Sequence, residues 1–188
     1  IISKRFNKKP IPIVFSSSCA TYGIPKMIPI TENEIQKPIN PYGESKLIIE
    51  KIIKDLSNST GMQSVILRYF NAAGASEDNS LGDFRVNDKH LIPLAISSVI
   101  SDKINFQIFG DDYPTHDGTC VRDYIHVSDI AEAHEKVLSL FKNKLDNIDS
   151  FSFSKGSSSC KIYNLGIGRG FSVKEIISNV EKISNKKL

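Results

Sequence analysis

Two short, nearly uninterrupted apolar runs constrain this chain more than any other feature. The first is Ile11-Pro12-Ile13-Val14-Phe15, which ends in Ser16-Ser17-Ser18, and the second is Ser64-Val65-Ile66-Leu67-Arg68-Tyr69-Phe70. Apolar residues on both sides of the pleat fit strands of a parallel sheet covered on both faces. Parallel neighbours need a crossover, usually helical. The segment from Pro41 to about Ser57 supplies one: Asn40 is a good N-cap, Pro41 suits the first helical position, and Ile49, Ile52, Ile53 and Leu56 form an apolar stripe.

The alternation continues downstream. A helix is predicted from near His90, with Pro93 in its first turn and Leu94, Ile96, Val99 and Ile100 on its buried side. Phe106-Gln107-Ile108-Phe109 alternates as a half-buried strand does. Residues 121–127 form a further extended segment. Ser128 is expected to cap a helix with Ile130, Val137, Leu138, Phe141 and Leu145 on one face. Tyr163-Asn164-Leu165 is a short strand. Ser172-x-x-Glu175 is a capping box opening a last helix, with Val173, Ile176, Ile177, Val180 and Ile183 buried. Strand and helix in turn predict an α/β fold with a mainly parallel sheet. Residues 22–41 hold four of the eight prolines and read as loop, and 146–160 is a Ser-rich, low-complexity loop.

The balance of the chain is that of an ordinary globular protein, 40% hydrophobic and 24% charged, with a net charge of +3 over 188 residues. The lysines are scattered, and the short basic runs near the ends read as solvated surface, not a nucleic-acid footprint. No apolar run approaches the roughly 20 residues of a membrane span. Cys19, Cys120 and Cys160 make an odd, widely spaced set, which argues against disulfides and zinc and for reduced thiols in a cytosolic protein. The four histidines show no ligand spacing, so no metal is expected.

In an open α/β sheet, chemistry sits beyond the carboxyl ends of the strands. That rule singles out Ser18 after the first strand, and Phe70 and Asn71 after the second. Tyr42 and Lys46, four residues apart at the start of the predicted helix, share one helix face. An ammonium beside a phenol favours the phenolate. Gly166-x-Gly168-x-Gly170 lacks the spacing of a dinucleotide fingerprint and reads as a tight turn.

Several segments together resemble the extended short-chain dehydrogenase/reductase family, and within it the enzymes that epimerise nucleotide hexoses at C4. They are Phe15-Ser16-Ser17-Ser18-x-x-x-Tyr22-Gly23, Pro41-Tyr42-Gly43-x-Ser45-Lys46, Leu67-Arg68-Tyr69-Phe70-Asn71 and Arg122-Asp123-Tyr124-Ile125-His126-Val127. Asp112-Tyr113-Pro114-Thr115-x-Asp117-Gly118-Thr119 and Tyr163-Asn164-Leu165-Gly166 add to the likeness. The resemblance implies part of a doubly wound Rossmann domain holding NAD (1–75 and about 121–168) and part of a smaller domain holding the nucleotide sugar (76–120 and 169–188). It implies a homodimer acting on a UDP-hexose, with UDP-galactose and UDP-glucose interconverted by transient oxidation at C4.

The same resemblance implies roles. Tyr42 would be the base on the sugar 4-hydroxyl. Lys46 would hold the nicotinamide ribose and keep Tyr42 ionised, and Ser18 would hydrogen-bond the reacting oxygen. Phe70 would lie beside the nicotinamide. Asn71 and Arg122 would contact the diphosphate, and His90, Leu91, Gln107, Ile108 and Phe109 the uridine; His90 stands where many relatives have asparagine. A 4,6-dehydratase would place an acidic residue after the active-site hydroxyl, and Cys19 and Ala20 follow Ser18 here. An epimerase or decarboxylase of the same family acting on a UDP-uronate or UDP-N-acetylhexosamine, and a non-catalytic NAD-linked regulator, stay open. The family's Gly-rich phosphate turn is not in this sequence, and a fragment lacking both ends is the expectation. These 188 residues alone are therefore expected to bind NAD weakly or not at all and to be inactive. Titration calorimetry giving micromolar affinity would contradict this.

Overall fold

The computed structural model describes residues 11–83, 85, 89–101, 106–145 and 159–188. The chain divides into two compact units. The first contains residues up to Phe70 together with Ser128–Gly166, and the second Asn71–Val127 with Ile167–Leu188.

The first unit is a parallel sheet in the order β1-β2-β5, made of β1 (Ile13–Ser18), β2 (Ser64–Tyr69) and β5 (Cys160–Leu165). Helix α1 (Pro41–Thr60) makes the crossover from β1 to β2, and α3 (Val127–Leu145) leads towards β5. The register pairs Phe15 with Ile66 and Ser17 with Arg68 on one side, and Ile66 with Ile162 on the other. Because successive side chains alternate between faces, β2 feeds two cores. Ile66 packs with Ile53, Met62, Cys160, Phe15 and Ile162. Val65 and Leu67 pack with Val137, Phe141, Val14, Tyr69 and Leu165. Burying Ile66 and Leu67 completely stabilises the sheet by roughly 1.5–3 kcal/mol each.

Helix α1 begins where its signals say. The Asn40 side chain accepts from the Gly43 N–H at 2.8 Å, and Gly61 ends the helix in the left-handed region at φ 70°. The stripe is where expectation fails. Of Ile49, Ile52, Ile53 and Leu56 only Ile53 is buried; the other three are exposed with Ile48. The buried line is instead Gly43, Leu47, Glu50, Ile53 and Ser57. Three of those five are not apolar, so a hydrophobicity pattern points to the wrong side.

The second unit holds a small mixed sheet, in which β3 (Asn71–Ala73) runs parallel to β4 (Val121–His126) and β6 (Gly170–Ser172) runs antiparallel to it. The extended segment expected at 121–127 therefore belongs to a separate sheet. Arg122, Asp123 and His126 make it unfit for a strand buried on both faces. The strand expected at Phe106–Phe109 is absent: those four residues carry no strand pairing, and Ile108 and Phe109 are exposed. Helix α2 (Leu91–Ile100) starts from His90 and buries Ala95, Ser98 and Val99, while Ile96 and Ile100 are exposed. In α3 the buried residues include Val137 and Phe141 but not Leu138. The α3 helix already starts at Val127, one residue before the expected cap Ser128; Leu145 lies outside the described side chains. Residues 146–158 of the low-complexity loop lie outside the described residues, and Cys160 opens β5.

Helix α4 (Val173–Ser184) has the capping box that its sequence announces. On its expected apolar face Val173, Ile176, Ile177 and Val180 are half-buried, and Ile183 is exposed. The cap is tied to a second element. The Ser172 hydroxyl donates to the Asp117 carboxylate at 2.5 Å and accepts from the Glu175 N–H at 3.0 Å. That bond and those from Thr119 hold the Asp117 carboxyl down at about 2. A depressed carboxyl stabilises the fold above its unfolded value and loses that contribution as pH falls through its folded value. Loss of the cap bond to Glu175 in Ser172→Ala is expected to cost about 1 kcal/mol near neutral pH. The gap to the parent should narrow as pH falls from about 4 to about 2, as read by urea denaturation across that range.

Candidate active site

The candidate site of the first unit is built on the carboxyl end of β1 and the first turns of α1. Lys46 is its hub. Its Nζ donates to the Ser16 carbonyl at 2.9 Å and lies 5.1 Å from the centre of the Phe15 ring and 5.6 Å from that of Tyr42. Tyr42 keeps 56% of its surface exposed, so its hydroxyl can meet a ligand. Ser18 ends β1 and accepts from the Ala20 N–H at 3.2 Å, which caps the short 3-10 turn Cys19–Thr21. Tyr69 stands opposite Ser18 in the register, so Phe70 follows at the same edge. Ser18, Tyr42, Lys46 and Phe70 are thus carried by neighbouring elements of one unit.

Gly43 lets the helix come this close. A Cβ there would lie 2.4 Å from the Ala20 carbonyl oxygen and 3.0 Å from the Pro38 side chain. The glycine between Tyr42 and Lys46 is a contact requirement between α1 and the turn after Ser18, a role that spacing alone does not disclose.

Below this edge lies a polar network that the sequence reading missed. Glu50 and Arg68 are both buried, at 0% and 1% exposure, and form a two-pronged pair with N···O distances of 3.0 and 2.6 Å. Ser17 donates to the same carboxylate at 2.5 Å and Gln36 at 2.9 Å. Arg68 also donates to the Tyr22 hydroxyl at 2.6 Å, which donates to the Asn164 side chain at 2.7 Å. Burial pushes the Glu50 carboxyl up, but the bonds from Arg68, Ser17 and Gln36 outweigh it and hold it below the usual carboxylate range. The Arg68 guanidinium is raised by the same partnership against burial. The available signal was Arg68 itself, a charge in an otherwise apolar strand.

On the other face of β1, the Tyr69 hydroxyl meets Ser16 Oγ at 2.7 Å and His134 Nε2 at 2.8 Å, while His134 Nδ1 lies 2.8 Å from the Ile130 carbonyl. Burial, chiefly, raises the Tyr69 phenol above its ordinary range.

The remaining predicted residues belong to the second unit. Asn71 opens β3 opposite Tyr124, and Arg122 lies on β4 with its guanidinium donating to the Val121 carbonyl at 3.0 Å. His90 and Leu91 form the start of α2, His90 with Arg85 at 3.3 Å from its Nδ1. Gln107, Ile108 and Phe109 lie in an exposed loop. Asp123 accepts from the Ile167 and Gly168 N–H groups at 3.0 and 2.9 Å, which anchors the glycine turn. Among the described residues no group of three or more His, Cys, Asp or Glu side chains could hold a metal ion, and no helix is long and apolar enough to cross a membrane.

A parallel sheet with a helical crossover, carrying Ser18, Tyr42 and Lys46 towards one strand end, is the α/β architecture of a Rossmann-type unit. Residues 3–150 match the NAD dependent epimerase/dehydratase family, and the chain belongs to that family. It is 44% identical over 173 residues to a UDP-glucose 4-epimerase of Rhizobium leguminosarum bv. trifolii, covering 92% of this chain and 49% of the relative. Among solved structures, the UDP-glucose 4-epimerase of Brucella ovis in complex with NAD superposes with a TM-score of 0.80 at 41% identity, over 96% of this chain and 51% of that one. The enzyme of Bifidobacterium longum, in complex with NAD+ and UDP, gives 0.80 at 39%, over 99% and 52%. The chain spans about half the length of the curated relatives it matches.

Alanine at position 43 would ordinarily favour the helix by roughly 0.8–1.0 kcal/mol. The clash with Ala20 is expected to reverse that sign, so Gly43→Ala should melt below the parent in thermal denaturation; an equal or higher melting temperature would contradict the close approach.

Proposed function

We propose that these residues form the catalytic centre of a UDP-glucose 4-epimerase, which interconverts UDP-galactose and UDP-glucose. The observation that carries this reading is the Lys46 ammonium, held on the Ser16 carbonyl beside the Tyr42 ring at the strand end that bears Ser18. The donors there are an ammonium and hydroxyls, and the Tyr42 ring is open to solvent, which fits the ribose and nicotinamide of NAD. Lys46 would hold the ribose hydroxyls, Ser18 and Tyr42 would border the ring, and Phe70 would flank it. When bound, NAD supplies a reversible hydride acceptor.

The chain's own groups handle the proton. Tyr42 takes the proton of the sugar 4-hydroxyl and returns it to the same oxygen, with the Lys46 ammonium 5.6 Å from its ring centre. The Ser18 hydroxyl donates to that oxygen and keeps it oriented. Arg122 and Asn71 bind the diphosphate, the guanidinium fork matching phosphate geometry. His90, Leu91, Gln107, Ile108 and Phe109 contact the uridine.

The outward stripe of Ile48, Ile49, Ile52 and Leu56 on α1 supports a homodimer, since four exposed large apolar side chains on one helix make a face to cover. Cys19, Cys120 and Cys160 form no disulfide, which supports a reducing compartment, the cytoplasm.

In a protein extended to the relatives' length, UDP-galactose is expected to become UDP-glucose without net NADH release. Tyr42→Phe should lower turnover by about 10²–10⁴-fold with nucleotide-sugar binding retained, in a coupled assay and by calorimetry. A protein that binds both ligands without turnover would instead identify a regulator.

A further inference from the structure

The polar residues on the buried side of α1 do something that apolar packing cannot. Apolar contacts resist separation but are non-directional, so they fix a helix's height on a strand less sharply than hydrogen bonds between particular atoms do. A slide of one residue is about 1.5 Å. Reacting groups tolerate little of that, since a misplacement of about 1 Å can cost about 10²-fold in rate. Helix α1 is fixed to β1 by directional bonds on successive turns. Lys46 bonds the Ser16 carbonyl, and one turn further Glu50 accepts from the Ser17 hydroxyl at 2.5 Å. Further along, the Ser57 hydroxyl meets that of Ser64, on β2, at 2.7 Å. Tyr42, Lys46 and Glu50 stand at i, i+4 and i+8 of one helix, so whatever sets the height of Glu50 sets that of the other two.

A buried ion pair is weak evidence for stability, because desolvation offsets much of the attraction. The Glu50–Arg68 pair is better explained by geometry. Arg68 holds the carboxylate from β2 with both prongs, which leaves Glu50 Oε1 in one place for Ser17 to reach. Ser17 lies between Ser16, whose carbonyl receives Lys46, and Ser18. Resting on the proposed roles of Tyr42 and Lys46, we infer that Ser17 and Glu50 are positioning residues of the reaction: their hydrogen bond sets the height of α1 on β1, and with it the placement of Tyr42 and Lys46 relative to Ser18.

Ser17 offers the cleaner test because its removal leaves the ion pair intact. Gln36 is the control, since it also donates to Glu50 but from the loop before the helix. In a protein extended to the relatives' length, Ser17→Ala is expected to lower kcat about 10- to 100-fold while KM for UDP-galactose stays within about twofold. Gln36→Ala should leave kcat within about twofold of the parent. Should Ser17→Ala fail to fold, Ser17→Cys keeps a similar volume with a weaker donor and carries the same expectation. An unchanged kcat in the folded serine variant, or an equal loss in Gln36→Ala, overturns the inference. Tyr42→Phe, assayed alongside, separates the two levels. If it is inactive while Ser17→Ala is not, only the positioning role falls; if it keeps full activity, the roles of Tyr42 and Lys46 fall and the inference falls with them.

Discussion

The first unit depends on one buried carboxylate. Glu50 reaches from α1 to Ser17 on β1, Arg68 on β2 and Gln36 in the connecting loop, and through Arg68 to Tyr22 and Asn164 on β5. Removing a single partner of such a pair leaves a charge without compensation and costs about 3–5 kcal/mol. The network ties that pair to β1, to β5 and to the loop before α1. It also explains why the loop 22–40, full of prolines and turns, has a fixed course. Asn164 accepts the Tyr22 hydroxyl and donates to the Ile30 carbonyl at 3.0 Å, while Glu32 receives the Asn164 N–H at 2.8 Å. Tyr22 stands within 4.9 Å of the Arg68 guanidinium, stacked and hydrogen-bonded together.

The two faces of β1 have different tasks. The α1 face carries Phe15 and Ser17 and joins packing to the ion pair. The opposite face carries Ser16, whose hydroxyl meets Tyr69 and through it His134. A strand of six residues thus ends in three serines whose hydroxyls serve three different partners: Tyr69, Glu50 and the amide of Ala20. Period-two alternation is what lets one short run do this.

How much of this was legible follows from where the signals lie. β1, β2 and the start of α1 were legible because their signals are local: apolar runs, an asparagine cap, a proline at N1. The capping box of α4 was legible for the same reason. The buried side of α1 was not, because Glu50 reads as a solvated charge with Lys54 one turn on, and only the partner strand reveals Arg68. In α2 and α4 the isoleucines outnumber the positions that the described residues cover, so Ile96, Ile100 and Ile183 are exposed where burial is expected. β3 and β6, three residues each, are too short for any periodicity. The rule of strand ends pointed at Ser18 and Phe70 because topology alone decides which edge is open, whereas Gly43 needed the third dimension: nothing nearby in sequence shows that Ala20 presses on it.

Helix α1 separates two kinds of constraint on opposite sides. Inside, Gly43, Glu50 and Ser57 answer to named neighbours: Ala20 and Pro38, the donors Ser17, Gln36 and Arg68, and the Ser64 hydroxyl. Outside, Ile48, Ile49, Ile52 and Leu56 answer only to the need for apolar surface. Change on that outer side can therefore proceed while the inner side stays still. A designer could repaint one flank of the helix without disturbing the other.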